Sequence, residues 1–128
     1  MIYLDTSVAL AQLLAEDRRP GAAFWDEALV SSRLLQYELW VRIDGRGLAR
    51  SHGEAAQSLV GKLRFLELTS SVLARALDPF PKPLRTLDAL HLASLEFLRG
   101  QGQAIALASY DRRMIAAAQA LKIPLAAL

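Results

Sequence analysis

Short apolar runs alternate along this chain with longer stretches in which apolar residues recur every three or four positions. The short runs predict buried strands, and the longer spacing predicts helices with one apolar face. Their alternation predicts an α/β fold with a mostly parallel sheet between helices. The predicted strands are Ile2–Leu4, Leu29–Ser31, Phe65–Leu68, Ala104–Leu107 and Leu125–Ala126. The predicted helices are Val8–Ala15, Phe24–Ala28, Leu35–Ile43, Glu54–Lys62, Val72–Leu77, Leu87–Leu98 and Arg112–Leu121.

Two segments interrupt this pattern. A proline-rich stretch, residues 78–83, breaks the helical periodicity and leads to Thr86, which we expect to cap the following helix. Gly45 and Gly47 weaken the helix that begins at Leu35, so we expect it to end or bend there. We accordingly expect His52 on a loop.

Length and composition limit the class of protein. With 128 residues, 53% of them hydrophobic, the chain can bury one full core, so we predict one domain over residues 1–128. The absence of cysteine excludes disulfides, thiol catalysis and cysteine-ligated zinc. The N-terminal residues form no basic leader, and no uncharged run approaches the roughly 18 to 20 residues of a membrane span. We therefore expect a soluble cytoplasmic protein.

Arginine dominates the basic residues. The net charge of +2 combines 15 basic with 13 acidic residues, and 12 of the basic residues are arginine. Because guanidinium binds phosphate bidentately, this composition is compatible with a nucleic-acid partner without requiring one.

Four acidic residues stand at corresponding places in the predicted elements. Asp5 directly follows the first strand, and Asp111 follows the run Ala104–Leu107. Glu38 and Asp88 lie on helices expected to pack beside them. Because ligands of open α/β sheets bind beyond the carboxyl ends of the strands, we expect these side chains to form one acidic cluster.

Each acid also has a purely structural interpretation. Asp5 and Asp111 could cap helices, and Glu38 could pair with Arg42 four residues on. Asp88 shares a helix face with Leu92 and Leu95, where an unpaired charge would be costly, but it could also interact with the helix dipole. The joint placement favours a cluster. Carboxylates about 5 Å apart repel by about 3 kcal/mol at an effective dielectric near 20, which favours a hard cation and metal-assisted hydrolysis of a phosphodiester.

The ordered set of these segments resembles one family. Asp5-Thr6-Ser7, Glu38 within Tyr37–Trp40, the run Thr86–Ala93 and the run Ser109–Met114 together resemble PIN-domain ribonucleases, especially VapC-type toxins of bacterial toxin–antitoxin pairs. The resemblance spans nearly the whole chain. It implies a single PIN-like nuclease domain, a three-layer sandwich with a central, mostly parallel sheet flanked by helices.

The resemblance also implies an activity, a metal-dependent endoribonuclease, and a site. The acidic pocket would consist of Asp5, Glu38, Asp88 and Asp111, with Mg²⁺ or Mn²⁺ held by Asp5, Asp88 and, less directly, Asp111. Thr6 or Ser7 would be a hydroxyl neighbour of the acids. Ser109 stands where threonine is common in the family, a mild departure.

Further residues are candidates for contacts outside the acids. Arg112 and Arg113 follow Asp111, and Arg42, Arg46 and Arg50 would form one stripe if the helix continued past the glycines. These arginines could bind RNA phosphates, or they could form a solvated face. His91 lies three residues after Asp88, which favours a packing or supporting role over a catalytic one.

The partners implied by the resemblance are an RNA substrate, a small antitoxin and a second copy of the chain in a homodimer. Apolar residues of the N-terminal helices could form such a surface or belong to the core; they are Leu13, Leu14, Trp25 and Trp40. Two other functions stay open. A phosphoryl-transfer or receiver domain would need a second acid near Asp5 and a lysine just after a strand, which the sequence lacks. A non-catalytic PIN-like module that binds RNA or protein would not need all four acids.

Overall fold

The computed structural model describes residues 1–128. Four strands and six helices alternate along the chain, with a short 3-10 helix at Ala22–Asp26. The strands are β1 (Ile2–Leu4), β2 (Leu29–Ser32), β3 (Arg64–Leu66) and β4 (Ala106–Ala108). The helices are α1 (Thr6–Leu13), α2 (Arg33–Gly45), α3 (Ala49–Gly61), α4 (Ser70–Leu77), α5 (Thr86–Gly100) and α6 (Arg112–Ala120).

The four strands form one parallel sheet in the order β3-β2-β1-β4. The chain moves outward from β1 to β3 and then returns to add β4 on the other side of β1. The strand order therefore reverses beside β1, and the crevice beyond the carboxyl ends of β1 and β4 is the topological switch point of the sheet. Asp5 and Ser109 are the first residues after these two strands.

Alternate strand residues enter two separate cores, one on each face of the sheet. Leu4 and Ala108 pack with α1, α2 and α3, whereas Tyr3 and Leu107 pack with α5 and α6. Helix α4 packs mainly on α5. The result is a three-layer sandwich with helices on both faces, which confirms the predicted α/β fold.

The predicted elements are all present except the last strand. Leu125 forms only an isolated bridge with Leu107, because the chain turns at Lys122, whose φ is +58°, and meets β4 for one residue pair. The remaining boundaries differ from the predicted ones by a few residues, most at the start of α3.

Two local predictions near helix ends were wrong. Thr86 is the first residue of α5 rather than its cap; Arg85 is the cap, with extended backbone, and its carbonyl accepts from Ala89 N–H at 2.9 Å. His52 lies within α3, where its N–H donates to Leu48 O at 2.9 Å.

Helix α2 ends at the glycines, as the sequence predicted, so the stripe of Arg42, Arg46 and Arg50 that depended on a continuous helix does not form. Gly47 adopts a φ of +67°, and Leu48 N–H donates to Ile43 O at 2.9 Å, which ends α2 in a glycine-dependent cap. Arg42 and Arg50 therefore belong to different helices, and the three side chains do not share one helix face.

The large apolar residues of the N-terminal helices belong mostly to the core. Leu13 is buried, and Trp25 and Trp40 pack against the cluster around it. The exposed apolar side chains lie elsewhere, including Tyr37 and Val41 of α2. None of the helices has the length and apolar character needed to cross a membrane.

Candidate active site

A cavity of about 650 Å³ opens at the switch point of the sheet. All four predicted acids line it, together with Thr6 and Ser7. Asp5 comes from the end of β1, Glu38 from the middle of α2, Asp88 from the first turn of α5 and Asp111 from the start of α6. The structure thus brings together side chains that are more than 100 residues apart in sequence.

Asp5 lies at the bottom of this cavity and is 3% exposed. It occupies the cap position of α1, but its side chain does not cap the helix. Instead, Oδ2 accepts hydrogen bonds from Ser7 Oγ at 2.6 Å and from Ser109 Oγ at 2.9 Å. These two hydroxyls fix the carboxylate and connect the ends of β1 and β4, which gives Ser109 a definite structural role.

Glu38 has a buried partner rather than the predicted surface partner Arg42. Its Oε1 lies 2.6 Å from His91 Nε2 and accepts from Thr6 Oγ1 at 2.9 Å. His91 Nδ1 is in turn 2.9 Å from Tyr3 Oη. We call these four side chains, Tyr3, Thr6, Glu38 and His91, the His91 network.

Asp88 is the acid whose protonation is most affected by its surroundings. Its pKa is raised from 3.8 to about 6, first because burial disfavours the charged form and then because Asp111 and Asp5 repel it. Arg85 acts in the opposite direction. A carboxylate with this surrounding charge gains most from a cation placed among the acids.

Asp111 combines the structural role with a place in the cluster. Its Oδ1 accepts from Arg113 N–H at 2.8 Å and from Met114 N–H at 3.2 Å, so it caps α6 as its position in the sequence suggested. It also lines the cavity and contributes to the raised pKa of Asp88. Capping and a role in the cavity are therefore compatible in one residue.

Arginines also line the cavity, but not the two that follow Asp111. Arg112 and Arg113 are exposed and lie outside its walls, so their contact with RNA stays a prediction. The arginines that do line it are Arg18, Arg42 and Arg85. All three are exposed, whereas Asp5 is buried, so basic groups stand at the rim of an acidic cavity.

Arg18 is held in place at this rim by Tyr110. Its guanidinium carbon lies 4.5 Å from the centre of the Tyr110 ring, and Nη2 donates to the Tyr110 carbonyl at 3.3 Å. No local sequence pattern points to Arg18, because it lies between elements and acquires its position only through tertiary contact. Glu16, a fifth acid at the cavity, was missed for the same reason.

The acidic side chains are suited to a hard cation most of whose ligands are water molecules or substrate oxygens and not protein side chains. No three Asp, Glu or His side chains are spaced to coordinate an ion by themselves. Mg²⁺ is commonly bound through one or two carboxylates, with water and substrate phosphate completing the shell. Asp5, which is buried, and Asp88, whose carboxylate is repelled by neighbouring acids, are suited to a site of that kind.

Comparison with known proteins agrees with this architecture. The sequence matches the PIN domain over residues 2–120. It is 30% identical over 133 residues to Ribonuclease VapC35 of Mycobacterium tuberculosis. The alignment covers 99% of this chain and 96% of that protein. It is 31% identical over 122 residues to Ribonuclease VapC47 of the same species, covering 90% of this chain and 88% of that protein. The chain therefore belongs to the PIN-domain family.

Proposed function

We propose that this protein is a metal-dependent endoribonuclease and acts as the toxin of a type II toxin–antitoxin pair. The observation that carries the proposal is the convergence of Asp5, Glu38, Asp88 and Asp111 on one cavity of a PIN domain. The near full-length similarity to two proteins named ribonucleases supports RNA as the substrate.

In this proposal, Asp5 and Asp88 would hold the cation, and Asp111 would add its negative charge to the site. A bound Mg²⁺ or Mn²⁺ supplies a Lewis acid for the scissile phosphate and a more acidic water. Asp5 is suited to holding an ion because two serine hydroxyls already fix its Oδ2. Asp88 is suited because a positive charge relieves its repulsion from Asp111 and Asp5.

The protein's own groups account for the remaining requirements. Glu38 has Oε1 committed to hydrogen bonds, so Oε2 is the atom that takes the proton from the attacking water. The rim arginines, Arg18, Arg42 and Arg85, bind the phosphates that flank the scissile bond. Attraction to the RNA backbone at the rim offsets the repulsion between phosphates and the acids inside.

The antitoxin and the second copy of the chain would cover apolar surface. Exposed apolar pairs four residues apart occur on α2, at Tyr37 and Val41, and on α4, at Leu73 and Leu77. Exposed apolar residues in pairs are a feature of surfaces that bind other proteins. The cavity would also accept an arginine of the antitoxin among its acids. We place this activity in the cytoplasm, where its RNA substrates are.

The test is RNA cleavage by the purified protein with Mn²⁺ or Mg²⁺, using total bacterial RNA so that no substrate needs to be known beforehand. New RNA 5′ ends are mapped for the wild type, for Asp5→Asn and for Asp44→Asn. Asp44 is an exposed aspartate of α2 outside the cavity, so its variant is the matched control. We expect the wild type and Asp44→Asn to produce the same new ends and Asp5→Asn to produce at least 100-fold fewer.

The outcome also decides the alternative function. If wild type and Asp5→Asn bind RNA equally and neither produces new ends with either metal, the protein is a non-catalytic PIN-like binding module. If Asp5→Asn cleaves as well as the wild type, the acidic cavity is not the site of reaction and the mechanism above is wrong.

A further inference from the structure

A buried histidine stands directly behind the acidic cavity. His91 is 1% exposed, yet both of its ring nitrogens have polar partners. One partner, Tyr3, lies in the core on one face of the sheet, whereas the other, Glu38, lines the cavity. His91 therefore connects a group of the core to an acid of the site.

The partners determine which ring nitrogen carries the proton. An ionised carboxylate only accepts hydrogen bonds, so Nε2 must be the donor across the 2.6 Å contact to Glu38 Oε1. A phenol is protonated at neutral pH, so the Tyr3 hydroxyl can donate to Nδ1 at 2.9 Å.

The first hydrogen bond that reaches Tyr3 and His91 comes from the backbone. Ser32 N–H donates to Tyr3 Oη at 3.2 Å, so the phenolic oxygen accepts there while its proton can be donated to His91 Nδ1. The hydrogen bonds therefore run in one direction, from the backbone at the end of β2, through Tyr3 and His91, to the carboxylate of Glu38. Thr6 Oγ1 lies 3.1 Å from Nε2 and donates to the same Glu38 oxygen, so two donors share Oε1.

We infer that His91 is a positioning residue for Glu38: Tyr3 holds the ring in its Nε2–H tautomer, and the ring fixes Oε1 so that Oε2 is presented to the reacting water. This inference rests on the proposed function, because it assigns Glu38 a part in RNA cleavage. His91 itself does not touch the substrate, since its ring is enclosed and does not line the cavity, whereas Glu38 does.

A histidine that serves only to fill the core would behave differently. The burial of a ring with two polar nitrogens costs free energy unless both are satisfied, and an apolar side chain would fill the same space without that requirement. The direct 2.6 Å contact to a side chain that is 20% exposed indicates a role that extends to the cavity.

The first test is kinetic and uses two replacements of the same residue. His91→Leu keeps similar volume and removes both hydrogen bonds, whereas His91→Gln keeps a donor for Glu38. We expect His91→Leu to lower kcat by about 10- to 100-fold with KM changed less than about 3-fold, and His91→Gln to recover most of the loss. His52→Gln, which changes the only other histidine, is the control and should leave both constants unchanged.

The second test asks whether His91 acts through Glu38. In a Glu38→Gln background, His91→Leu should lower the residual kcat by less than about 3-fold, because the group that it positions is already gone. A further fall as large as in the wild-type background would overturn the inference. Equal losses in His91→Leu and His91→Gln, with both variants folded by circular dichroism, would also overturn it.

A spectroscopic test is independent of activity. With only two histidines, the ring ¹⁵N signals can be assigned by comparison with His52→Gln. We expect the His91 ring to carry its proton on Nε2, and the Nδ1 signal to change in Tyr3→Phe. A proton on Nδ1, or on both nitrogens, would overturn the inference even if the protein cleaves RNA. If the expected tautomer is found but the wild type cleaves no RNA, the proposed function has failed and the network is structural only.

Discussion

Replacing Asp88 by asparagine should stabilise the protein at neutral pH and have a much smaller effect on its stability at pH 4. Asparagine is close in size to aspartate, lacks its charge and keeps a polar group at the cavity. In the wild type, burial, Asp111 and Asp5 raise the pKa of the Asp88 carboxyl from 3.8 to about 6, against the opposite influence of Arg85. The pKa of Asp88 is higher in the folded state than in the unfolded state, so the folded state binds this proton more tightly. The free energy of unfolding therefore falls as pH rises from about 4 through about 6.

The size of the stabilisation by Asp88→Asn follows from the difference between the folded-state and unfolded-state pKa of Asp88. A change from 3.8 to about 6 corresponds to an upper limit of about 3 kcal/mol at pH above 7. Solvent screening of a side chain that is only half-buried reduces this to about 1.5 kcal/mol. Loss of an anion from the first turn of α5 costs about 0.5 kcal/mol. We therefore expect Asp88→Asn to be more stable by about 1 kcal/mol at pH 7.5, or about 4 °C in Tm.

The assay is thermal unfolding of wild type and Asp88→Asn at pH 4.0 and pH 7.5, with and without millimolar Mn²⁺. The two proteins should differ at pH 7.5 and differ much less at pH 4.0, where the carboxyl is protonated in the folded state and only partly ionised in the unfolded state. Mn²⁺ at about ten times its Kd should raise the wild-type stability by about 1.4 kcal/mol and the variant far less. A variant that is less stable than wild type at pH 7.5 and equally responsive to Mn²⁺ would refute this account of the cluster.

Two further predictions concern the edges of the site. Asp111→Ala removes the two hydrogen bonds that cap α6, so urea unfolding should show a loss of about 1 kcal/mol, whereas Asp111→Ser should retain most of the cap; equal losses would argue against capping. Arg18→Ala should weaken RNA binding several-fold and reduce its salt dependence, whereas Arg113→Ala, outside the cavity, should change both less. The reverse order in a salt titration of RNA affinity would place the phosphate contacts at Arg113.

The fold was predictable because its signals are local and repeated. Short apolar runs such as Ile2–Leu4 can be buried on both faces only as central strands, and helical periodicity filled the intervals. The wrong predictions concern features that depend on tertiary contacts and not on the local sequence. Leu125 meets β4 at a single bridge, and no local pattern shows how far such pairing extends. Thr86 looked like a cap by residue type, yet the backbone at Arg85 determines where α5 begins.

The acids of the site were predictable for a different reason. Asp5 follows a strand and Asp88 interrupts an apolar helix face, and both placements are unusual for charged residues. The hydrogen-bond partners of Glu38 could not be predicted, because packing of β1, α5 and α2 brings Tyr3, His91 and Glu38 together. Arg18 likewise gains its position from Tyr110, 92 residues later in the chain.

The central claim is that the carboxylates of Asp5 and Asp88 hold the cation used in RNA cleavage. The most direct test is the cleavage rate of a mapped RNA measured against Mn²⁺ concentration in wild type, Asp5→Asn and Asp88→Asn, with Asp44→Asn as control. We predict that the Mn²⁺ concentration for half-maximal rate rises at least 10-fold in the two cavity variants and is unchanged in the control. Lower rates with an unchanged half-maximal concentration would contradict the claim, because these acids would then act without holding the metal.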